Sequence, residues 1–215
     1  RTSYLLDNIQ RPKGHAATRK ENIFKQPLEY KFQTTFNGKL SNYGIDPKRR
    51  APTGIKAAII REKGVNGDRE MAYALYLAGF DVKDVHMTDL MTGREDLTEV
   101  NLIVFVGGFS NSDVLGSAKG WAGAFLYNPK AKAALDNFYK REDTLSLGVC
   151  NGCQLMMELG LVYQDMDMSS HPKMHHNGSG KFESTFITIS IPKNNSVIWA
   201  SLGSAQPTSC IVPLF

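Results

Sequence analysis

Cys150 and Cys153, three positions apart in GVCNGCQLMMELG (148–160), have a spacing that admits three kinds of chemistry. A CxxC pair at the head of a helix can cycle between dithiol and disulfide, because the helix N-terminus stabilises a thiolate. Joined by His171 and His175, the pair offers a two-cysteine, two-histidine zinc set, with seventeen residues between the pairs and three between the histidines. Alternatively, one cysteine is a nucleophile and the other a bystander. Gly148-Val149-Cys150-Asn151-Gly152 reads glycine-x-nucleophile-x-glycine, the pattern of an elbow in which a sharp strand-to-helix turn carries the nucleophile and only glycine neighbours avoid collision. The elbow favours the third reading. The zinc reading also fits the context poorly, since zinc knuckles put CxxC in a tight hairpin and the gap here exceeds the usual window. Cys153 is then expected as a small apolar residue on the inner face of the helix.

A thiolate attacking a carbonyl needs hydrogen-bond donors for the developing oxyanion, and backbone N–H groups at a helix start and in a glycine loop can supply them. The N–H of Asn151 follows the nucleophile, and Gly107-Gly108-Phe109 opens the loop GGFSNSD. Both are expected to point at one site.

The elements that must position these groups follow from periodicity. IKAAII is a short β-branched apolar run bounded by REKGVNG, read as a buried strand running into a glycine loop. DREMAYALYLAGF reads as a helix with Met71, Ala74, Leu75 and Ala78 on one face, Asp68 and Glu70 at its positive end and Gly79 at its stop. DVKDVHM and VNLIVFVGGF read as strands, NPKAKAALDNFYKRE as a helix, LSLGVC as a strand and NGCQLMMELG as a helix. Alternation of strand and helix predicts an α/β fold: a doubly wound, mostly parallel sheet of about five or more strands from residue 54 onward, covered on both faces. Ligands of such sheets gather at the carboxyl ends of the strands, here REKGVNG, GGFSNSD and CNGC. FESTFITISI, with a period of two, is expected as a strand nearer the sheet edge.

Composition narrows the function classes. No apolar run approaches the ~18 residues of a membrane span, and no charged-then-apolar signal segment follows Arg1. With three cysteines, this predicts no membrane partner, a reducing, cytoplasmic compartment and a piece of a longer polypeptide. Residues 1–53 carry eleven Lys/Arg against four Asp/Glu, while the rest is net acidic. A basic leader can grip nucleic acid. Leu28, Tyr30, Phe32, Phe36, Leu40 and Tyr43 make it too apolar for a solvated tail, so an extended leader packing on a neighbouring domain, and no nucleic-acid partner, is expected.

REKGVNGDREMAYALYLAGFDVKDVHMTDL, GGFSNSDVLGSAKGWAGAFLYN, LGVCNGCQLMMELG and HNGSGKFES, in order across most of residues 54–191, together resemble the C-terminal glutaminase domain of the large-type phosphoribosylformylglycinamidine synthases. RTSYLLDNIQ and the leader are similar to the segment tying that domain to its synthetase core. The resemblance implies a flavodoxin-like class I glutamine amidotransferase domain at 54–215, joined to a linker at 1–53. It implies glutamine as substrate, a glutamyl thioester on Cys150, and ammonia released to a separate ATP- and Mg-dependent synthetase core of the same polypeptide. No cofactor or metal is implied in this domain. By position, Gly108 and Asn151 are the backbone oxyanion donors, and Phe109, Gln154, Asn177 and Phe182 line the glutamine pocket. The family's base and its orienting acid lie in a His-Gly-Glu motif after a GS-containing segment, where this sequence reads LGSAQPTSCIVPLF. Neither residue is among these 215. The expectations are therefore two: a glutaminase domain, weakly active or inactive as this polypeptide, or a catalytically defective module that only packs or binds. His171, His175 and His176 precede Asn177, where the family has no base, and are expected at the surface or pocket edge.

Overall fold

A computed structural model of the chain describes residue 21 and residues 38–163, 165–178, 185–189 and 210–214. The described residues from 38 to 178 belong to one compact unit, and the strands near the C-terminus to another.

In the first unit, β1 (Lys56–Arg61), β2 (Asp81–His86), β3 (Leu102–Phe105) and β4 (Leu145–Gly148) form a parallel sheet in the order β2-β1-β3-β4. Strands 2 and 3 flank strand 1, as in a flavodoxin-like doubly wound sheet. The helices are α1 (Asp68–Leu77), α2 (Met87–Thr92), α3 (Lys119–Leu126), α4 (Pro129–Tyr139) and α5 (Asn151–Glu158). The second unit contributes β5 (Thr185–Ile189) and β6 (Cys210–Leu214), an antiparallel pair with Ile187 opposite Val212.

The alternating side chains of β1 divide the core. Ala58 and Ile60 join Met87, Leu90, Trp121, Phe125, Leu135, Phe138 and Leu155 on one face, while Ala57 and Ile59 join Leu75, Val104 and Val106 on the other. Phe105 anchors the larger cluster, with Trp121 and Phe125 both set edge-on to it at 6.0 Å. α4 begins where Asn128 Oδ1 accepts from the N–H groups of Lys130 and Ala131, with Pro129 in the first turn. A side-chain cap and a proline there satisfy and preset the helix start.

Three expectations are revised, and two helices are new. The parallel sheet has four strands among the described residues, because the strand within FESTFITISI pairs with β6 and not with the edge of that sheet. The buried stripe of α1 is Met71, Ala72 and Leu75, while Ala74 and Ala78 face outward; helix position relative to the sheet, which periodicity alone leaves open by a residue or two, decides this. α2 and α3 had no sequence reading of their own: α2 is six residues long, and the two glycines of KGWAGAFL blunt its helix propensity. Coverage is also uneven, since Leu145, Leu147 and Val149 of the β4 segment are exposed.

The end of the expected leader is pinned to the sheet. The Asp81 carboxylate accepts from the N–H groups of Thr53 and Gly54 and from Arg49, whose guanidinium lies 4.8 Å from the Tyr76 ring centre. Those two backbone N–H groups first, then Arg49, hold the Asp81 carboxyl below the usual carboxylate range. A depressed carboxyl pKa contributes stability that is present above the ordinary value and fades as pH falls through the depressed one. We expect Asp81→Asn to accelerate hydrogen exchange at the Thr53 and Gly54 amides at neutral pH. Unchanged protection of both would show that the carboxylate does not hold this segment.

Candidate active site

The turn from β4 into α5 places Cys150 at the N-cap with φ 54 and ψ −112, a backbone region that a non-glycine residue occupies only when its surroundings enforce it. The surroundings do. A Cβ on Gly148 would lie 2.6 Å from Met156 Sδ and 2.7 Å from the Gly152 carbonyl oxygen, and one on Gly152 would lie 2.5 Å from the Phe105 carbonyl carbon. Both glycines of the elbow are thus required by close approach, and the thiol between them is solvent-exposed.

The glycine loop after β3 lies against this turn, for a Cβ on Gly107 would sit 3.1 Å from Cys150 Cβ. The loop is braced by the one after β1. Asn66 N–H donates to the Gly107 carbonyl at 3.1 Å and Phe109 N–H to the Gly64 carbonyl at 2.9 Å, bracketing an antiparallel bridge between Val65 and Gly108. Because the flanking residues make these bonds, Val65 and Gly108 form the narrow, non-hydrogen-bonded pair, and the Gly108 N–H points away from Val65. Gly108 (φ 130) could not carry a side chain, whose Cβ would fall 2.5 Å from Val65 Cα. At the head of α5, Asn151 N–H is one of the first-turn donors that have no partner within a helix. Gly108, next to the glycine packed against Cys150, and Asn151, next to Cys150 in the chain, thus carry the two backbone N–H groups nearest that turn that the loop and the helix leave uncommitted, while the Phe109 N–H is committed to Gly64.

Sequence reasoning missed the side chains behind these donors. Asn151, almost fully buried, accepts through Oδ1 from Ser110 Oγ (2.6 Å) and Ser110 N–H (3.3 Å), and donates through Nδ2 to Gln154 Oε1 (2.9 Å). A signal was available, since Ser110 directly follows the GGF run and Asn151 directly follows the nucleophile; only the fold shows that they meet. The Gln154 side-chain oxygen is thus engaged from within α5. Phe109 stands 68% exposed at the rim. Asn177 lies in the exposed segment after His171, and Phe182 lies outside the described residues.

Two expectations for the surrounding residues need correction. Cys153 is exposed and not on the inner face of α5: the inward positions of the first two turns are Asn151, Gly152 and Leu155. Its sulfur is still partly shielded, and that burial, with Cys150 next, pushes its thiol pKa up. His171 is not at the surface. It is 6% exposed, its ring 3.3–3.4 Å from the position a Cβ on Gly160 would take and facing Tyr163. Gly160 follows the end of α5 and Cys150 precedes its start, so about 1.5 Å of rise per residue puts them roughly 15 Å apart. His171 is neither a partner of Cys150 in a zinc set nor its base. His175 and His176 are exposed.

With Cys153 thiolate suppressed by its raised pKa and Cys150 exposed at a helix N-terminus, limited alkylation near neutral pH should fall mainly on Cys150. Peptide mapping that finds Cys153 or Cys210 modified first would contradict this.

The chain is similar to several known proteins. Residues 54–209 match the model of the CobB/CobQ-like glutamine amidotransferase domain. The chain is 42% identical over 204 residues to phosphoribosylformylglycinamidine synthase of Dictyostelium discoideum, covering 88% of this chain and 14% of that protein. It is 48% identical over 157 residues to the Homo sapiens protein of the same name, 67% of this chain and 12% of that one. The match to the probable chloroplastic/mitochondrial synthase of Arabidopsis thaliana is 41% over 222 residues, 95% and 15% of the two lengths. The chain thus spans about a seventh of these relatives. Among solved structures, the fold is like that of a chain in "Structure of PurLQS from Thermotoga maritima", with TM-score 0.53, 23% identity, and coverage of 75% of this chain and 65% of that one.

Proposed function

The chain belongs to the CobB/CobQ-like glutamine amidotransferase family, and from that premise we propose that it is the glutaminase module of a phosphoribosylformylglycinamidine synthase, supplying ammonia for ATP-dependent amination of formylglycinamide ribonucleotide in purine biosynthesis. The carrying observation is Cys150 held at φ 54 on the β4–α5 elbow with Gly107 packed against it. In this reading, the Cys150 thiolate attacks the γ-carboxamide carbon of glutamine, forming a C–S bond and moving the carbonyl π pair onto oxygen. The N–H groups of Gly108 and Asn151 hold that oxyanion; one such donor is worth about 10²–10³-fold in rate. The tetrahedral species collapses, the C–N bond breaks and ammonia leaves with an added proton. Water then cleaves the thioester to glutamate. Phe109, Gln154, Asn177 and Phe182 are the proposed walls of the glutamine site.

The synthetase core, which would hold ATP and Mg, is the proposed partner and recipient of the ammonia. Phe109, Val114 and Leu115, all exposed in the segment after β3, are proposed to offer it an apolar contact. A linker role for residues 1–53 and a cytoplasmic setting belong to the same proposal. No described helix is long and apolar enough to cross a membrane.

One observation favours a second reading, a module that only packs or binds. Proton transfer to the leaving ammonia and from the attacking water needs a positioned acid–base group, and His171, the most buried histidine among the described residues, sits at the far end of α5. Reaction with a glutamine-analogue electrophile separates the two. Selective, glutamine-protected labelling of Cys150 supports the glutaminase site, and labelling no faster than by a simple alkylator leaves the binding module.

A further inference from the structure

We propose that Ser110 is a positioning residue: its hydroxyl, bonded to the Asn151 side chain, latches the glycine loop to the nucleophile helix and fixes the spacing of the two oxyanion donors. The proposal rests on the glutaminase reading above.

Gly108 lies two residues before Ser110, in the loop after β3, and Cys150 one residue before Asn151, at the head of α5. The bond from Ser110 Oγ to Asn151 Oδ1, at 2.6 Å, joins these elements across 41 positions of sequence, and the Ser110 N–H adds a second donor to the same oxygen at 3.3 Å. Both residues are buried, with exposures of 1% and 2%. The other amide atom of Asn151 is fixed by Gln154, which sets the amide orientation and leaves Oδ1 facing Ser110. The loop is strained: Asn111, Ser112, Asp113, Ser117 and Ala118 all have positive φ, a run that bonds within the loop and contacts with its neighbours must enforce for non-glycine residues. The latch stands where that run begins. A buried hydrogen bond contributes only modestly to net stability, whereas catalytic donors tolerate little misplacement; an error near 1 Å costs on the order of 10²-fold in rate.

The test uses the 215-residue chain and two reagents. A chloroketone analogue of glutamine places a ketone where the amide carbonyl would sit; the Cys150 sulfur forms a C–S bond as C–Cl breaks, chloride leaves and the thiol proton goes to solvent. Chloroacetamide alkylates the thiol without needing the pocket. Ser110→Ala should slow chloroketone labelling about 10- to 100-fold and leave chloroacetamide labelling within about twofold of the parent. Asn151→Ala should slow chloroketone labelling at least as much, with the double variant no slower than Asn151→Ala alone, since that change already removes the Ser110–Asn151 bond. Should Ser110→Ala fail to fold, Ser110→Cys, with a weak donor of similar volume, carries the same comparison. Unchanged chloroketone rates, equal slowing with both reagents, or additive losses overturn the latch. A parent chain that shows no preference for the chloroketone overturns the glutaminase reading instead, before any variant is compared.

Discussion

Glutamate release by the 215-residue polypeptide should run about 10²–10⁴-fold below that of the same chain extended through a His-Gly-Glu motif, the range general acid–base assistance contributes, and Cys150→Ala should abolish it in both. On the proposed reading, Cys150 at its elbow and the Gly108 and Asn151 N–H groups serve thioester formation, so the deficit falls on protonating ammonia and activating water. His171 cannot fill that role from the far end of α5. His86, at the end of β2, is separated from β4 by β1 and β3 in the sheet order. A stalled glutamyl thioester, seen by intact mass after incubation with glutamine, would fit the same account. Equal rates in the two polypeptides would instead place the base among His15, His175 and His176, and histidine substitutions would identify which.

Gly152→Ala should be among the most damaging single changes. Its Cβ would lie 2.5 Å from the carbonyl carbon of Phe105 and 2.8 Å from the Phe105 Cβ. The first is backbone in the centre of the sheet and the second belongs to a ring packed between Trp121 and Phe125, so neither can rotate away. Relief requires α5 to back off β3, which opens the core around Leu155 and carries Cys150 away from Gly107. Overpacking of this kind costs about 3 kcal/mol or more, a fall in melting temperature of roughly 6–12 °C for a chain of this size. Gly178→Ala is the control, because a Cβ there meets nothing within 4 Å. A Gly152→Ala melting temperature matching that control would show that the elbow is far more compliant than its contacts imply.

Much of the nucleophile's setting was legible in the residues. Gly148-x-Cys150-x-Gly152 between an apolar run and an amphipathic one specifies a turn too tight for side chains on either flank, and the contacts of both glycines bear that out. The strands of the sheet were legible for a similar reason: IKAAII and VNLIVFVGGF are too short and too β-branched for buried helices, and parallel strands buried on both faces carry unbroken apolar runs. What is local in cause is written locally. The helices α2 and α3 are not, since six residues, or eight containing two glycines, form helix only when a core accepts Leu90, Trp121 and Phe125. The inward face of α5 was misread at Cys153 because the direction of approach to β3 is set by Gly152, not by hydrophobicity. The burial of His171 depends on Gly160 leaving room for its ring. The places of Ser110 after the GGF run and of Asn151 after Cys150 were legible, but not their meeting, because a hydrogen bond between residues 41 apart exists only once β3 and β4 are paired. The chemistry available at Cys150 is a property of its neighbours in the chain; which donors surround it, and which histidines are excluded from it, is decided by how the sheet brings distant loops to one end.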